Sequence, residues 1–259
     1  MCKYCAFILA VLFVSISFAK ADLTDGLVLY MPFDEGQGDV VQDLSPNQFT
    51  GDIVNLIEWG EGKYGTGLVF DGTESYVEIP YDEAFDIKTG ITMAAWVTGN
   101  IPFSPEWRVI INARKSDQGP WGLQTRAGAT LETYYDVAGV RVWTSSTSSI
   151  EPDVFHHVAG TYSDADGFSV YFDGVLEAGA NSGNIGTRGE LNSPPAEGIV
   201  IGYCYNTQVD RWWDGTIDEV VVYNRALSED EMAELFEGSP VVQVEPRTKL
   251  AATWGEIKQ

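Results

Sequence analysis

The chain has 259 residues, with 38 acidic against 15 basic side chains and a formal charge of −23 at neutral pH. A surface this acidic repels phosphate backbones and argues against nucleic acid as a partner, while it suits divalent cations and neutral ligands. Of three cysteines, Cys2 and Cys5 lie at the extreme N-terminus, which leaves Cys204 alone and excludes a disulfide framework for the rest. The first segment reads as a secretory signal peptide: Lys3, then apolar Ala6–Phe18 broken only by Ser15 and Ser17, then Ala19-Lys20-Ala21. That apolar run is shorter than the ~20 residues that span a bilayer. Residues 1–21 are therefore expected to be removed before Asp22. Lys3 and Lys20 leave with them, and the charge moves from −23 to −25. The processed protein is expected to be secreted or held in the cell envelope or periplasm, without spanning a membrane.

Beyond the signal, short β-type runs recur between turn residues and helical periodicity is nearly absent. Predicted strands are Leu27–Phe33, Leu68–Phe70, Tyr76–Ile79, Ile91–Val97, Arg108–Ala113 and Gly122–Arg126. They continue with Leu131–Val137, Val140–Thr144, Phe155–Tyr162, Phe168–Phe172, Gly198–Tyr203 and Thr216–Tyr223. Asp173-Gly174 supplies the positive φ angles of a tight hairpin turn. Strict alternation in the last run would put Thr216, Asp218, Val220 and Val222 on one face, and Ile217, Glu219, Val221 and Tyr223 on the other. Cys204 lies in an apolar run and reads as a buried small hydrophobe.

One helix is predicted near the end. Ser228 caps it, Glu231 completes a Ser-x-x-Glu capping box, and Met232, Leu235 and Phe236 form its apolar stripe. Gly238 ends it and Pro240 prevents continuation. The pattern is thus an all-β, two-sheet antiparallel sandwich over residues 22–240, with a tail over residues 241–259 in which Leu250–Lys258 could form a weak amphipathic helix.

Six local patterns occur in order: Leu29-Tyr30-Met31-Pro32-Phe33-Asp34 with Asp43-Leu44-Ser45-Pro46-Asn47, Gly62-Lys63-Tyr64-Gly65-Thr66-Gly67-Leu68-Val69-Phe70-Asp71-Gly72, Tyr76-Val77-Glu78-Ile79-Pro80, Ile91-Thr92-Met93-Ala94-Ala95-Trp96-Val97, Phe155-His156-His157-Val158-Ala159-Gly160-Thr161-Tyr162, and Trp213-Asp214-Gly215-Thr216-Ile217-Asp218-Glu219 running on to Ser228. Together, across residues 24–238, they resemble the LamG-like jelly-roll family of the concanavalin A-like lectin/glucanase superfamily. Phe155 stands where that family often has Trp, and the loop over Arg188–Pro195 is long. The resemblance implies a jelly roll with a concave and a convex side, and a first strand that pairs with the last.

It also implies a structural calcium at Asp34 and Asp218, with Asp43 and backbone carbonyls near Asn55 completing the shell. A carboxylate inside an apolar strand such as Asp218 is costly unless paired or metal-bound. The alternative stays open: Asp34 caps a turn and Asp218 accepts backbone N–H bonds. Glucanases of the superfamily commonly draw their carboxylates from one strand as Glu-x-Asp-x-x-Glu. Here only Glu151 has Asp two residues on, and His156 stands three further, so the motif is missing. His157 matches a structural position, and neither His156 nor His157 has a nucleophile motif beside it.

Sugar recognition stacks sugar faces on aromatic rings and takes hydroxyls with polar groups. Aromatic and polar residues interleave around Trp107-Arg108, Trp121, Tyr134-Tyr135-Asp136, Arg141-Val142-Trp143 and the segment Gly202–Asp214. Tyr203 and Trp213 are expected in the core. Tyr205, Asn206, Arg211 and Trp212 are the predicted ligand residues. The sequence therefore points to an exported, non-catalytic module that binds carbohydrate or a glycan-bearing surface protein, with a structural calcium. An enzyme related to glycoside hydrolases, with an unrecognised site, and an adhesive protein docked through its tail are the alternatives.

Overall fold

A computed structural model describes residues 22–55, 57–100, 107–113, 119–177, 179, 182–205 and 211–238. The predicted signal peptide and the tail beyond Gly238 lie outside them. In chain order the strands are β1 (Leu27–Met31), β2 (Val40–Gln42), β3 (Thr50–Val54), β4 (Glu58–Glu61), β5 (Thr66–Asp71), β6 (Tyr76–Ile79), β7 (Gly90–Val97), β8 (Arg108–Asn112) and β9 (Trp121–Thr125). They continue with β10 (Thr130–Val137), β11 (Val140–Ser149), β12 (His156–Ser163), β13 (Gly167–Phe172), β14 (Val175–Glu177), β15 (Ser182–Gly183), β16 (Ile199–Ile201) and β17 (Asp214–Tyr223). One helix, α1 (Glu229–Glu237), follows.

The strands form two antiparallel sheets packed as a jelly-roll sandwich, the predicted fold class. The eight-stranded sheet runs β14-β13-β12-β7-β17-β5-β4, with β1 also paired to β17. The nine-stranded sheet runs β15-β11-β10-β9-β8-β16-β6-β3-β2. First and last strands pair as expected, Tyr30 opposite Val221 and Met31 opposite Val220. Sequence reading passed over β2, β3, β4 and β15. Their residues are largely exposed or half-exposed, so strand pairing rather than a hydrophobic run defines them.

The core lies between the sheets and takes Leu29, Met31, Phe70, Val97, Leu123, Leu131, Tyr135, Val158, Tyr162, Val220 and Val222 among its buried members. The sheets approach closely at Gly160, where a Cβ would lie 2.2 Å from Thr133 Oγ1 on the facing strand. Asp173 and Gly174 take φ of 49° and 74°, which closes the β13–β14 hairpin as predicted.

The alternation expected along β17 fails at one point. Asp218 stands opposite Trp96 while Val221 stands opposite Ala94, so β17 has one extra residue against β7. Glu219 takes a left-handed φ of 52° at this bulge. Ile217 therefore shares the core face with Val220 and Val222. Asp218 and Glu219 fall outside that core.

The helix has the predicted capping box, with Ser228 Oγ accepting from Glu231 N and Glu231 Oε2 accepting from Ser228 N at 2.8 Å. Met232 and Leu235 pack on the outer side of the eight-stranded sheet with Leu27, Tyr30, Ala94, Val221 and Tyr223. Phe236 stacks on Trp96 at 5.3 Å and meets the His157 ring edge-on at 5.9 Å. The close approach of the sheets gives a direct test. Gly160→Ala should destabilise the protein by about 1–3 kcal/mol, because the added methyl overpacks the inter-sheet contact. Chemical denaturation with an unchanged midpoint would contradict the stated packing.

Candidate functional site

The outward face of the nine-stranded sheet is built by strand alternation. On β9 and β10, Leu123, Leu131, Tyr135 and Val137 point into the core, which turns Gln124, Glu132 and Tyr134 outward. Across the register, Tyr134 stands between Gly122 and Trp143, and Trp143 stands beside Gly183. Both glycines are needed for space. A Cβ on Gly122 would lie 2.3 Å from Tyr134 Oη, and one on Gly183 would lie 2.1 Å from the Trp143 indole ring. The two rings therefore lie across the neighbouring strands.

A cavity of about 280 Å³ opens over this surface. Gln124, Glu132, Tyr134, Arg141 and Trp143 line it from the strands, and Trp107, Arg126 and Arg211 from their flanks. A relay of hydrogen bonds makes its floor. Arg211 Nη1 donates to Gln124 Oε1 at 3.0 Å, and Gln124 Nε2 donates to Glu132 Oε1 at 2.6 Å. Arg126 Nη1 pairs with Glu132 Oε2 at 3.0 Å. Burial raises the Glu132 carboxyl above its ordinary value, against the pull of Gln124, Arg126 and Arg211. Arg141 is held by Asp136 and by the carbonyl of Gly119, with its guanidinium 4.6 Å above the Tyr134 ring. Arg211 lies 5.4 Å from the Trp107 ring centroid. Tyr134 Oη donates to Asn112 Oδ1 at 2.5 Å, and burial pushes its pKa well up.

Of the predicted ligand residues, Arg211 lines this cavity, positioned by two backbone hydrogen bonds with Cys204. Trp212 does not line it. Its ring stacks on Tyr203 at 3.8 Å and packs with Tyr76 and Val200 in a small satellite cluster. Tyr205 is 46% exposed, and Asn206 lies outside the described residues. Cys204 is buried, as expected. Trp107, Tyr134, Arg141 and Trp143 belong to the interleaved runs noted in the sequence. Gln124, Arg126 and Glu132 do not. Their signal was the period-two position of Gln124 and Glu132 beside inward Leu123 and Leu131.

The predicted metal residues separate. Asp218 is fully buried, and its oxygens accept from Glu219 N at 2.9 Å and Tyr64 N at 3.1 Å. Asp34, exposed, accepts from Thr66 N at 3.0 Å. Both carboxylates thus fasten the loop between β4 and β5. Asp43 sits apart and accepts four bonds, from Tyr30 N, Ser45 N, Ser45 Oγ and Phe49 N. Asn55 follows β3 in the other sheet, its side-chain amide on the Glu74 carbonyl. Glu219, which sequence reading did not single out, lies beside Asp218 and accepts from Tyr30 Oη at 2.8 Å. Burial, against hydrogen bonds and with repulsion from Asp34, pushes Asp218 up to about 7. Burial also pushes Glu219 up to about 8, with Asp218 and Asp34 adding to the rise.

The family model Laminin_G_3, described as the concanavalin A-like lectin/glucanases superfamily, matches residues 71–233, more than half of the chain. The chain belongs to this superfamily. No curated protein sequence matches it. Similar solved structures include the binding domain of Paraclostridial Mosquitocidal Protein 1, at 19% identity and TM-score 0.64 over 83% of this chain and 52% of that one. Domain 4 of AbnA, a GH43 extracellular arabinanase from Geobacillus stearothermophilus solved with arabinotriose, superposes at 20% identity and TM-score 0.58, covering 81% and 97%. A Trypanosoma rangeli sialidase superposes at 25% identity and TM-score 0.59, covering 82% and 32%. The chain spans about half the length of the mosquitocidal-protein binding domain it matches.

Within this superfamily member, His157 is packed beneath α1 against Trp96 and Phe236, and burial lowers it to about 4. It lies on the outer side of the eight-stranded sheet, away from the cavity of the other sheet. His156 Nδ1 meets Asp173 Oδ2 at 2.9 Å.

The buried acids predict a pH effect of definite sign. The native state holds protons on Asp218 and Glu219 that the unfolded chain releases near their ordinary values of 3.8 and 4.5. The stability they contribute is therefore full at low pH and falls as pH rises towards their folded values. In chelator, the melting temperature of Asp218→Asn relative to the parent should rise between about pH 4 and about pH 7 and level off above. A difference that stays constant with pH would show that Asp218 ionises freely.

Proposed function

We propose that this chain is an exported, non-catalytic binding module that recognises carbohydrate, on a glycan or a glycan-bearing surface protein. The observation that carries the reading is the cavity over the nine-stranded sheet. There the Trp107 and Trp143 rings stand beside hydrogen-bonding groups already fixed by one another, the combination that sugar faces and hydroxyls require. The match to domain 4 of an arabinanase, solved with arabinotriose, is consistent with it. Export rests on the pattern in residues 1–21; among the described residues no helix is long and apolar enough to cross a membrane.

Binding is favoured over hydrolysis by the lining itself. Glycoside hydrolysis uses a pair of carboxylates across the scissile bond. Among the described lining residues Glu132 is the one carboxylate, and both its oxygens are committed to Gln124 and Arg126.

A structural calcium at Asp34 and Asp218 is part of the proposal. A hard cation wants six to eight oxygens. Two carboxylates that repel each other beside buried Glu219 fit it as anchors, with backbone carbonyls and water needed for the rest of the shell. Asp43 does not fit, because four donors already point at its two oxygens. Among the described residues no group of three or more His, Cys, Asp or Glu side chains forms a ready cage. When bound, the ion would neutralise charge between β17 and the segment after β1. Calcium at one hundred times its dissociation constant should stabilise the fold by about 2.7 kcal/mol. Asp218→Ala should abolish the calcium dependence of the melting temperature. Equal melting temperatures of the parent in EDTA and in excess calcium would remove the ion from the proposal.

The binding face is tested by two tryptophans. Trp143→Ala should weaken glycan binding by about tenfold, the loss of roughly 1.4 kcal/mol of stacking, with little change in melting temperature. Trp212→Ala should instead lower the melting temperature, because it unstacks Tyr203. Unaltered glycan affinity in Trp143→Ala would place the site elsewhere.

A further inference from the structure

Resting on the carbohydrate reading of this same cavity, we infer that it takes an anionic sugar residue, one whose ring carries a carboxylate or a sulfate. The chain has eight arginines against 38 acidic residues, and three of the eight, Arg126, Arg141 and Arg211, line this one cavity. Such a concentration of positive charge runs against the rest of the surface.

Each guanidinium is also held in place before any ligand arrives. Arg141 is fixed through Nε and Nη2 to Asp136 and the Gly119 carbonyl, and its plane rests over Tyr134. Arg211 is fixed through Nη1 to Gln124 and lies beside the Trp107 ring. Arg126 is fixed through Nη1 to Glu132 and is 30% exposed. Anchoring one edge of a planar fork leaves its orientation set, and such forks match the geometry of carboxylate and sulfate oxygens. Pre-organised donors cost little ordering entropy on binding.

The charges do not cancel. Among the described residues three guanidinium groups meet two carboxylates, Glu132 in the cavity and Asp136 behind Arg141, which leaves one positive charge over. A neutral sugar would use the aromatic rings and leave this excess uncompensated. The remaining acids of the chain set a limit on the ligand's form. A dense polyanion would meet the field of the whole −23 surface. A single charged residue within an otherwise neutral glycan meets the three arginines at close range, with Glu132 already paired to Arg126, and charges beyond ~8 Å are screened at physiological salt.

An array of matched pairs tests this: uronate oligosaccharides against their methyl esters, and sulfated against unsulfated galactose oligosaccharides. The full-length processed protein should bind a charged member at least about tenfold more tightly than its neutral partner, a preference of roughly 1.4 kcal/mol. Preference within the uronate pair identifies a carboxylate ligand, and preference within the galactose pair a sulfate; either supports the inference. Arg211→Gln and Arg126→Gln should each bring the charged-to-neutral affinity ratio down towards one, and a ratio unchanged in both variants overturns the inference. Tighter binding of the neutral members overturns the anionic inference and leaves the carbohydrate reading standing. Binding of no saccharide on the array overturns both.

Discussion

Two aromatic rings lie close across the nine-stranded sheet because the neighbouring strand has no Cβ to hold either of them off. Gly122 supplies that space for Tyr134, and Gly183 supplies it for Trp143. With Tyr134 down, its upper face becomes a seat for the Arg141 guanidinium, and Asp136 can reach that guanidinium from two residues along the same strand. Tyr134 in turn is pinned by Asn112 on β8, and the same Asn112 Oδ1 accepts from Gly119 N. The carbonyl of Gly119 then closes the circuit on Arg141. A side chain at position 122 would break this circuit at its first member.

The two outer surfaces of the sandwich have been put to different uses. Over the eight-stranded sheet, α1 buries Met232 and Leu235, and Phe236 covers Trp96 and His157. The bulge at Glu219 turns two successive acids out of the inter-sheet core on that side, where Tyr30 and the loop over residues 62–66 occupy them. Over the nine-stranded sheet, polar Gln124, Glu132 and Arg141 take the outward positions and leave the 280 Å³ cavity between them. Each sheet already buries its inner face in the sandwich core, so its outer face is free to carry polar groups.

The sheet architecture was legible because alternation, Asp-Gly turns and the Ser-x-x-Glu box are local signals. The pairing of β1 with β17 followed from the family resemblance. Strands β2, β3 and β4 were not legible, since their exposed residues carry no hydrophobic run. The bulge in β17 was hidden as well: nothing in Ile217-Asp218-Glu219-Val220 marks a residue that will take a positive φ, so strict alternation assigned the wrong faces. Arg211, marked in the sequence by a loop crowded with aromatic residues, lines the cavity. Trp212 beside it belongs to a packed cluster, because its neighbour across space is Tyr203, a relation that sequence distance does not encode. Gln124 and Glu132 resemble ordinary outward strand residues; only register across β9 and β10 brings them under Arg126 and Arg211.

The central claim is that the outward face of the nine-stranded sheet is where ligand binds. The indole N–H signals of the tryptophans report on both faces at once in a two-dimensional NMR titration with the best-binding saccharide from an array. Trp107 and Trp143 should shift with saturation, while Trp96, under Phe236 on the opposite face, and Trp213, in the core, should stay in place. Shifts at Trp96 with Trp107 and Trp143 unmoved would contradict it.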